Sequence, residues 1–203
     1  MNRSQRTRIM TMVEMALLIA LVIALQILSA VMPKIGGFSI TLTLIPLIVG
    51  AILFGVKGGA VLGFSFGLIV LINCITGLDI GGNILWSANP FLTATICFVK
   101  GIAAGVLAAW VYKLVVGKNK DCSARRKYVA TVAAAITAPI VNTGLFVVGL
   151  VTFFNDILYA WAGDTNALTY IFVGLIGINF IIEFFINVIL SPAVVRIIDA
   201  VKK

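Results

Sequence analysis

Residues 169–195 read TYIFVGLIGINFIIEFFINVILSPAVV. As a helix rising 1.5 Å per residue, this run is about 40 Å long and can cross the roughly 30 Å hydrocarbon layer of a bilayer. It carries one acid, Glu183, with Asn179 and Asn187 one helical turn to either side. A lone carboxylate in the middle of a crossing costs about 2.5 to 3.5 kcal/mol on insertion scales, so it turns toward a partner, a cavity or a substrate. This stretch therefore fixes the class of the chain and supplies the first candidate for function.

The rest of the sequence agrees with that class. Of 203 residues, 62% are hydrophobic and 11% charged, with a mean hydropathy of +1.17; a soluble domain is far more polar. Five further apolar runs precede the last one: residues 9–31, a shorter run at 41–54, a third ending near Cys74, then 91–115 and 128–154. Arg3, Arg6 and Arg8 ahead of the first run resemble the start of a signal peptide, but the apolar stretch is longer than a usual signal core, so it reads as a retained span. Residues 76–90 read as an ordered interfacial loop anchored by Trp86. The expectation is one all-α integral membrane domain over residues 1–203, a six-transmembrane-helix bundle in the lipid bilayer.

Lys and Arg set its orientation. Arg3, Arg6, Arg8, Lys57, Lys113, the loop GKNKDCSARRK at 117–127 and the tail with Arg196, Lys202 and Lys203 all fall on one side, against Lys34 on the other. By the positive-inside rule both termini are cytoplasmic, which requires an even number of crossings. The net charge of +8 is accounted for by this topology signal. The basic residues flank apolar runs and are not interleaved with exposed aromatics, so nucleic acid is not an expected partner. The chain shows no convincing internal repeat, which argues against an inverted-repeat carrier.

Chemistry by the usual side chains is poorly supported. There is no histidine, hence neither the commonest general base nor the commonest transition-metal ligand. Gly63-Phe64-Ser65-Phe66-Gly67 matches the G-x-S-x-G pattern of serine hydrolases, but that pattern needs a His partner, whereas glycines at this spacing pack helices. Cys74, Cys97 and Cys122 lack C-x-x-C spacing and read as free thiols. No metal, no cofactor and no catalytic residue are expected. Small residues at four-residue spacing recur: Ala16, Ala20 and Ala24 in the first run, Gly59, Gly63 and Gly67 in the third, Gly101 and Gly105 in the fourth. Such stripes let helices approach closely, inside the bundle or against a partner.

Three polar residues lie at matched depth. Lys100 is about ten residues below the outer end of its run, Asn142 about twelve and Glu183 about fourteen, so all three sit roughly 15 to 20 Å down, near the midplane. Lys100 and Glu183 either pair to hold the bundle or line a solute cavity in which Lys100 meets a substrate carboxylate. Trp86, Asn89 and Asn73 lie near the outer ends of the third and fourth runs, at a cavity mouth or in an interfacial belt. Glu14 sits early in the first run, near the inner interface, and reads as solvated there.

The segment IPLIVGAILFGVKGG at 45–59, the run Gly63 to Gly67, the alanine stripe and six spans with both ends inside together resemble the substrate-binding S components of energy-coupling factor (ECF) vitamin transporters. The resemblance covers the whole chain. It implies high-affinity capture of a vitamin from outside, delivery through a transmembrane coupling protein with two cytoplasmic ATPases, and residence in the plasma membrane. It also implies that Ala16, Ala20 and Ala24 dock on the coupling protein and that the outer loop 33–43, with Thr41, closes over the ligand. The absence of a Walker A sequence fits a transport subunit, not an enzyme, that borrows ATP hydrolysis. CFVKG at 97–101, VNTG at 141–144 and INFIIE at 178–183 look most like the pantothenate-type branch, and place Lys100, Asn142, Asn179 and Glu183, with Asn89, Trp86 and Thr41, in the substrate site. That branch tends to carry Pro-Arg where Val99-Lys100 stands here. Lysine is a point charge without the guanidinium fork, so riboflavin, folate or another small nutrient stays open as ligand. The reading from another class is an autonomous proton-coupled carrier using Glu183.

Overall fold

The computed structural model describes residues 3–31, 42–117, 123–175 and 177–201. Among them every long element is a helix: α1 (Arg3–Val31), α2 (Leu44–Thr76), α3 (Ile80–Ala88), α4 (Pro90–Val116), α5 (Ala124–Phe153), α6 (Asn155–Ala162), the single turn α7 (Ala167–Thr169) and α8 (Gly177–Val201), the last entered through a π-helical stretch, Tyr170–Leu175. Five of them are long and apolar enough to cross a membrane: α1, α2, α4, α5 and α8. The protein is a multi-pass helical membrane protein.

The second and third runs, expected as separate spans, follow one another in α2 as two helical arms joined at Gly55, whose backbone is not helical. There φ is +68° and ψ −157°, a conformation open to glycine and strained for side-chain-bearing residues. The packing shows what the interruption does. A β-carbon on Gly50 would run into Leu62, and one on Gly58 would meet the Gly50 carbonyl at 3.0 Å. Residues 12 apart in a straight helix lie about 18 Å apart, so the chain doubles back at Gly55 and the arms 44–54 and 56–76 pack side by side.

Alternation then continues through the bundle. Thr43 meets Gln26 while Gly50 faces Leu18, so the first arm of α2 runs antiparallel to α1. Gly63 faces Gly101, and Gly67 faces the Cys97 carbonyl, setting the second arm antiparallel to α4. These two backbones touch so closely that a β-carbon on Gly67 would lie 2.6 Å from that carbonyl oxygen and one on Gly63 closer still to the Gly101 carbonyl. The small-residue stripes of α2 and α4 are therefore bundle packing, and Ser65 of the G-x-S-x-G match only donates back to the Val61 carbonyl at 3.0 Å. Gly149 against Ile96 and Phe146 against Lys100 run α5 antiparallel to α4. Val194 and Ile198 of α8 share a core with Ala134, Ala135 and Ala138, while Phe180 and Glu183 reach the level of Asn142 and Phe146.

Local sequence sets the breaks at the far end of the bundle. Gly77 (φ +79°) closes α2, and Asp79 caps α3 by accepting from the Gly82 amide at 3.0 Å. Asn89 then caps α4, accepting from the Leu92 amide at 3.1 Å with Pro90 in the first turn. This is the usual N-cap chemistry for orphan helix amides. The interfacial loop expected at 76–90 thus contains a short helix. At the other end Ser123 caps α5, accepting from the Arg126 amide at 3.3 Å. Pro139 leaves the Ala135 carbonyl without its helical donor three residues before Asn142. In α1, Val22, Gln26 and Ser29 form the buried face, whereas Ala16, Ala20 and Ala24 are exposed beside Leu17, Leu21 and Ile27.

Candidate substrate cavity

One cavity collects four of the buried polar side chains, Gln26, Thr93, Asn142 and Glu183. It lies between α1, both ends of the α2–α3 connection, α4, α5 and the start of α8. Lys100, Asn142 and Glu183 all line it, with Thr93, Thr143 and Gln26 as further polar neighbours and Phe66, Val70, Leu85, Ile96, Phe146 and Phe180 as apolar wall. It offers about 90 Å³ to the centres of water-sized molecules. One water needs roughly 10 to 15 Å³ on that measure, so the space suits a small metabolite. An apolar cavity with a few convergent polar groups between helices is the usual form of a small-molecule site.

The polar groups differ in what they can offer. Lys100 projects from mid-α4, and its Nζ stands 5.0 Å from the centroid of the Phe146 ring on α5. An aromatic face within about 6 Å attracts an ammonium by about 0.5 to 2 kcal/mol, which holds the cation over the cavity. Asn142, one turn before Phe146 on the same helix, is 6% exposed, and its Oδ1 has no hydrogen-bond partner among the described residues. An unmet buried acceptor costs about 1 to 3 kcal/mol; a ligand donor would remove that cost. Glu183 is 5% exposed on α8. Below it, Asn187 donates to the Glu183 carbonyl and Ser191 to the Asn187 carbonyl, each at 2.8 Å, continuing a polar ladder down that helix. The cavity therefore combines one cation, two carboxylates, Glu183 and Asp79, the Asn142 acceptor and extensive apolar surface.

The remaining expected site residues fall elsewhere. Asn89 is exposed, and its side-chain oxygen is engaged in capping α4. Trp86 packs against the main core and is not among the cavity residues. Thr41 and nearly all of the loop 33–43 lie outside the described residues, as does the side chain of Asn179. Residues not singled out from sequence also line the cavity, Gln26, Asp79 and Thr93, together with Cys74 and Cys97, read from sequence as free thiols but not as site residues. Gln26 had a signal, since it is a polar residue within an apolar run, three positions before Ser29. A neutral amide costs less in a membrane than a charge does, so it stands out less than Lys100 or Glu183.

Comparison with known proteins adds the lineage. The family model described as "ECF transporter, substrate-specific component" matches residues 10–195. A curated relative, the pantothenic acid transporter PanT of Lactococcus lactis subsp. cremoris (strain MG1363), is 27% identical over 192 residues, covering 89% of each chain. No solved structure matches the chain. With the match spanning nearly its whole length, the chain belongs to the family of substrate-specific components of ECF transporters.

Proposed function

We propose that this protein captures a small acidic vitamin from outside the cell, with pantothenate the first candidate, and passes it inward through a transmembrane coupling protein driven by two ATPases. The observation that carries the reading is the cavity shared by Lys100, Asn142 and Glu183. Pantothenate has a carboxylate at one end, an amide N–H in the middle and two hydroxyls at the other end. Lys100 would hold the carboxylate, while the Asn142 and Glu183 oxygens accept from the N–H and hydroxyl donors. The apolar wall matches the carbon skeleton between them. The relative named as a pantothenic acid transporter supports the same ligand.

The direction of delivery rests on topology. Helix direction alternates through α1, the two arms of α2, α4, α5 and α8, which supports six crossings with both ends on the basic, cytoplasmic face. The end of the cavity lined by Asp79 and Gly82 then faces outward. Ala16, Ala20 and Ala24, exposed on α1, are the docking stripe for the coupling protein. ATP hydrolysis is assigned to the partners.

The test is to purify the protein from cells grown in rich medium, denature it and identify the released small molecule by mass spectrometry. Pantothenate in near-stoichiometric amount is expected. Release of a different vitamin would overturn the ligand assignment, and protein that is empty and binds no added vitamin would overturn the reading as a whole.

A further inference from the structure

Gln26 is the unexplained polar group of the cavity. It sits on the buried face of α1, is 5% exposed and lines the cavity. Its Oε1 accepts a hydrogen bond from the Thr43 hydroxyl at 3.0 Å. Thr43 is itself fully buried at the position preceding α2, and its hydroxyl caps no helix amide. One turn further along α1, Ser29 Oγ accepts from the Leu42 amide at 3.5 Å, fastening the same junction. With its oxygen committed to Thr43, the Gln26 amide turns its nitrogen end away from that contact. Nε2 carries two donors, and the residue lines the cavity. Donors held in an apolar span are costly to leave unpaired, and a cavity-lining amide can meet that need through whatever occupies the cavity.

We propose that Gln26 is a ligand-binding residue that sets specificity: its Nε2 donates to a neutral oxygen, a hydroxyl or an amide carbonyl, on the part of the ligand distant from Lys100. Thr43 is the positioning residue that orients the amide. The inference rests on the vitamin-binding reading above. The two subsites are separated along the bundle. Gln26 sits level with Thr43 at the start of α2 and Lys100 in the middle of α4, so Gln26 stands nearer the outer end of the cavity. A bound acid then lies lengthwise, its carboxylate at the inner, cationic end and its uncharged polar end under Gln26. Neutral amide donors discriminate sharply, because a ligand without the matching oxygen leaves them unpaired.

The experiment measures equilibrium binding to the purified full chain in lipid nanodiscs. The probes are pantothenate and panthenol, the same molecule with its carboxylate replaced by a hydroxymethyl group. Lys100→Ala is expected to weaken pantothenate far more than panthenol. Gln26→Leu is expected to weaken both by about tenfold. Gln26→Glu keeps the shape and the acceptor for Thr43 but has no N–H; it is expected to weaken the uncharged panthenol to a similar extent, and it decides the matter if the Leu variant does not fold. Thr43→Val should cost about threefold on both probes, and Thr43→Ser should restore binding. Wild-type affinity for both probes in the Gln26 variants would overturn the subsite while leaving the vitamin-binding reading intact. A wild type that binds neither probe would overturn the pantothenate reading and the subsite with it.

Discussion

Lys100 and Glu183 were visible as a pair before any fold was known, because depth along a crossing can be counted from its end. Both residues line one cavity with Asn142, which depth alone could not establish since it says nothing of which faces meet. Asn89 and Trp86 show the limit of that reasoning. Their position at the end of the fourth run was legible, but Asn89 Oδ1 is used by the Leu92 amide and Trp86 by the core. Gln26 escaped notice for the opposite reason: its meaning depends on the face of α1 that meets Thr43. At this scale the account makes a sharp prediction for Lys100. A hydrogen-bonded charge contributes about 1.5 to 3 kcal/mol, so Lys100→Ala should weaken pantothenate about 10- to 100-fold by isothermal titration calorimetry. Lys100→Arg keeps the cation and should recover part of that loss. Unchanged affinity in the alanine variant would remove Lys100 from the site.

At the scale of elements, glycine and small-residue spacing carried most of the information. GVKGG at 55–59 marked a break in the apolar pattern, but only the contact of Gly50 with Leu62 shows a reversal at one residue that leaves both arms in register for packing. The two glycine stripes of α2 and α4 face each other, closing their own packing requirement. The alanine stripe of α1 does not: Ala16, Ala20 and Ala24 stay exposed while Val22, Gln26 and Ser29 turn inward. Sequence alone left an internal and an external role equally open for it. With the cavity on the opposite face, Ala16→Leu combined with Ala20→Leu should abolish co-purification with the coupling protein. The same variant should bind pantothenate within about twofold of wild type, since the added bulk lies outside the bundle. Loss of ligand binding would instead assign the stripe to internal packing.

For the whole molecule, hydropathy and the Lys and Arg asymmetry were enough to fix a multi-pass membrane protein. They could not show that Lys100, Asn142 and Glu183 converge on one cavity, because convergence depends on helix rotation and neighbour choice. The family assignment makes the protein a component of a larger machine, and the rival picture of a self-sufficient proton-coupled carrier makes the contrary claim at this same scale. Uptake of radiolabelled pantothenate into proteoliposomes separates them. Vesicles holding the protein together with its coupling protein and two ATPases, with ATP enclosed on the ATPase side, should accumulate the vitamin. Vesicles holding the protein alone should show only stoichiometric binding, with or without a pH gradient. Sustained uptake by the protein alone, driven by a pH gradient and lost in Glu183→Gln, would contradict the account.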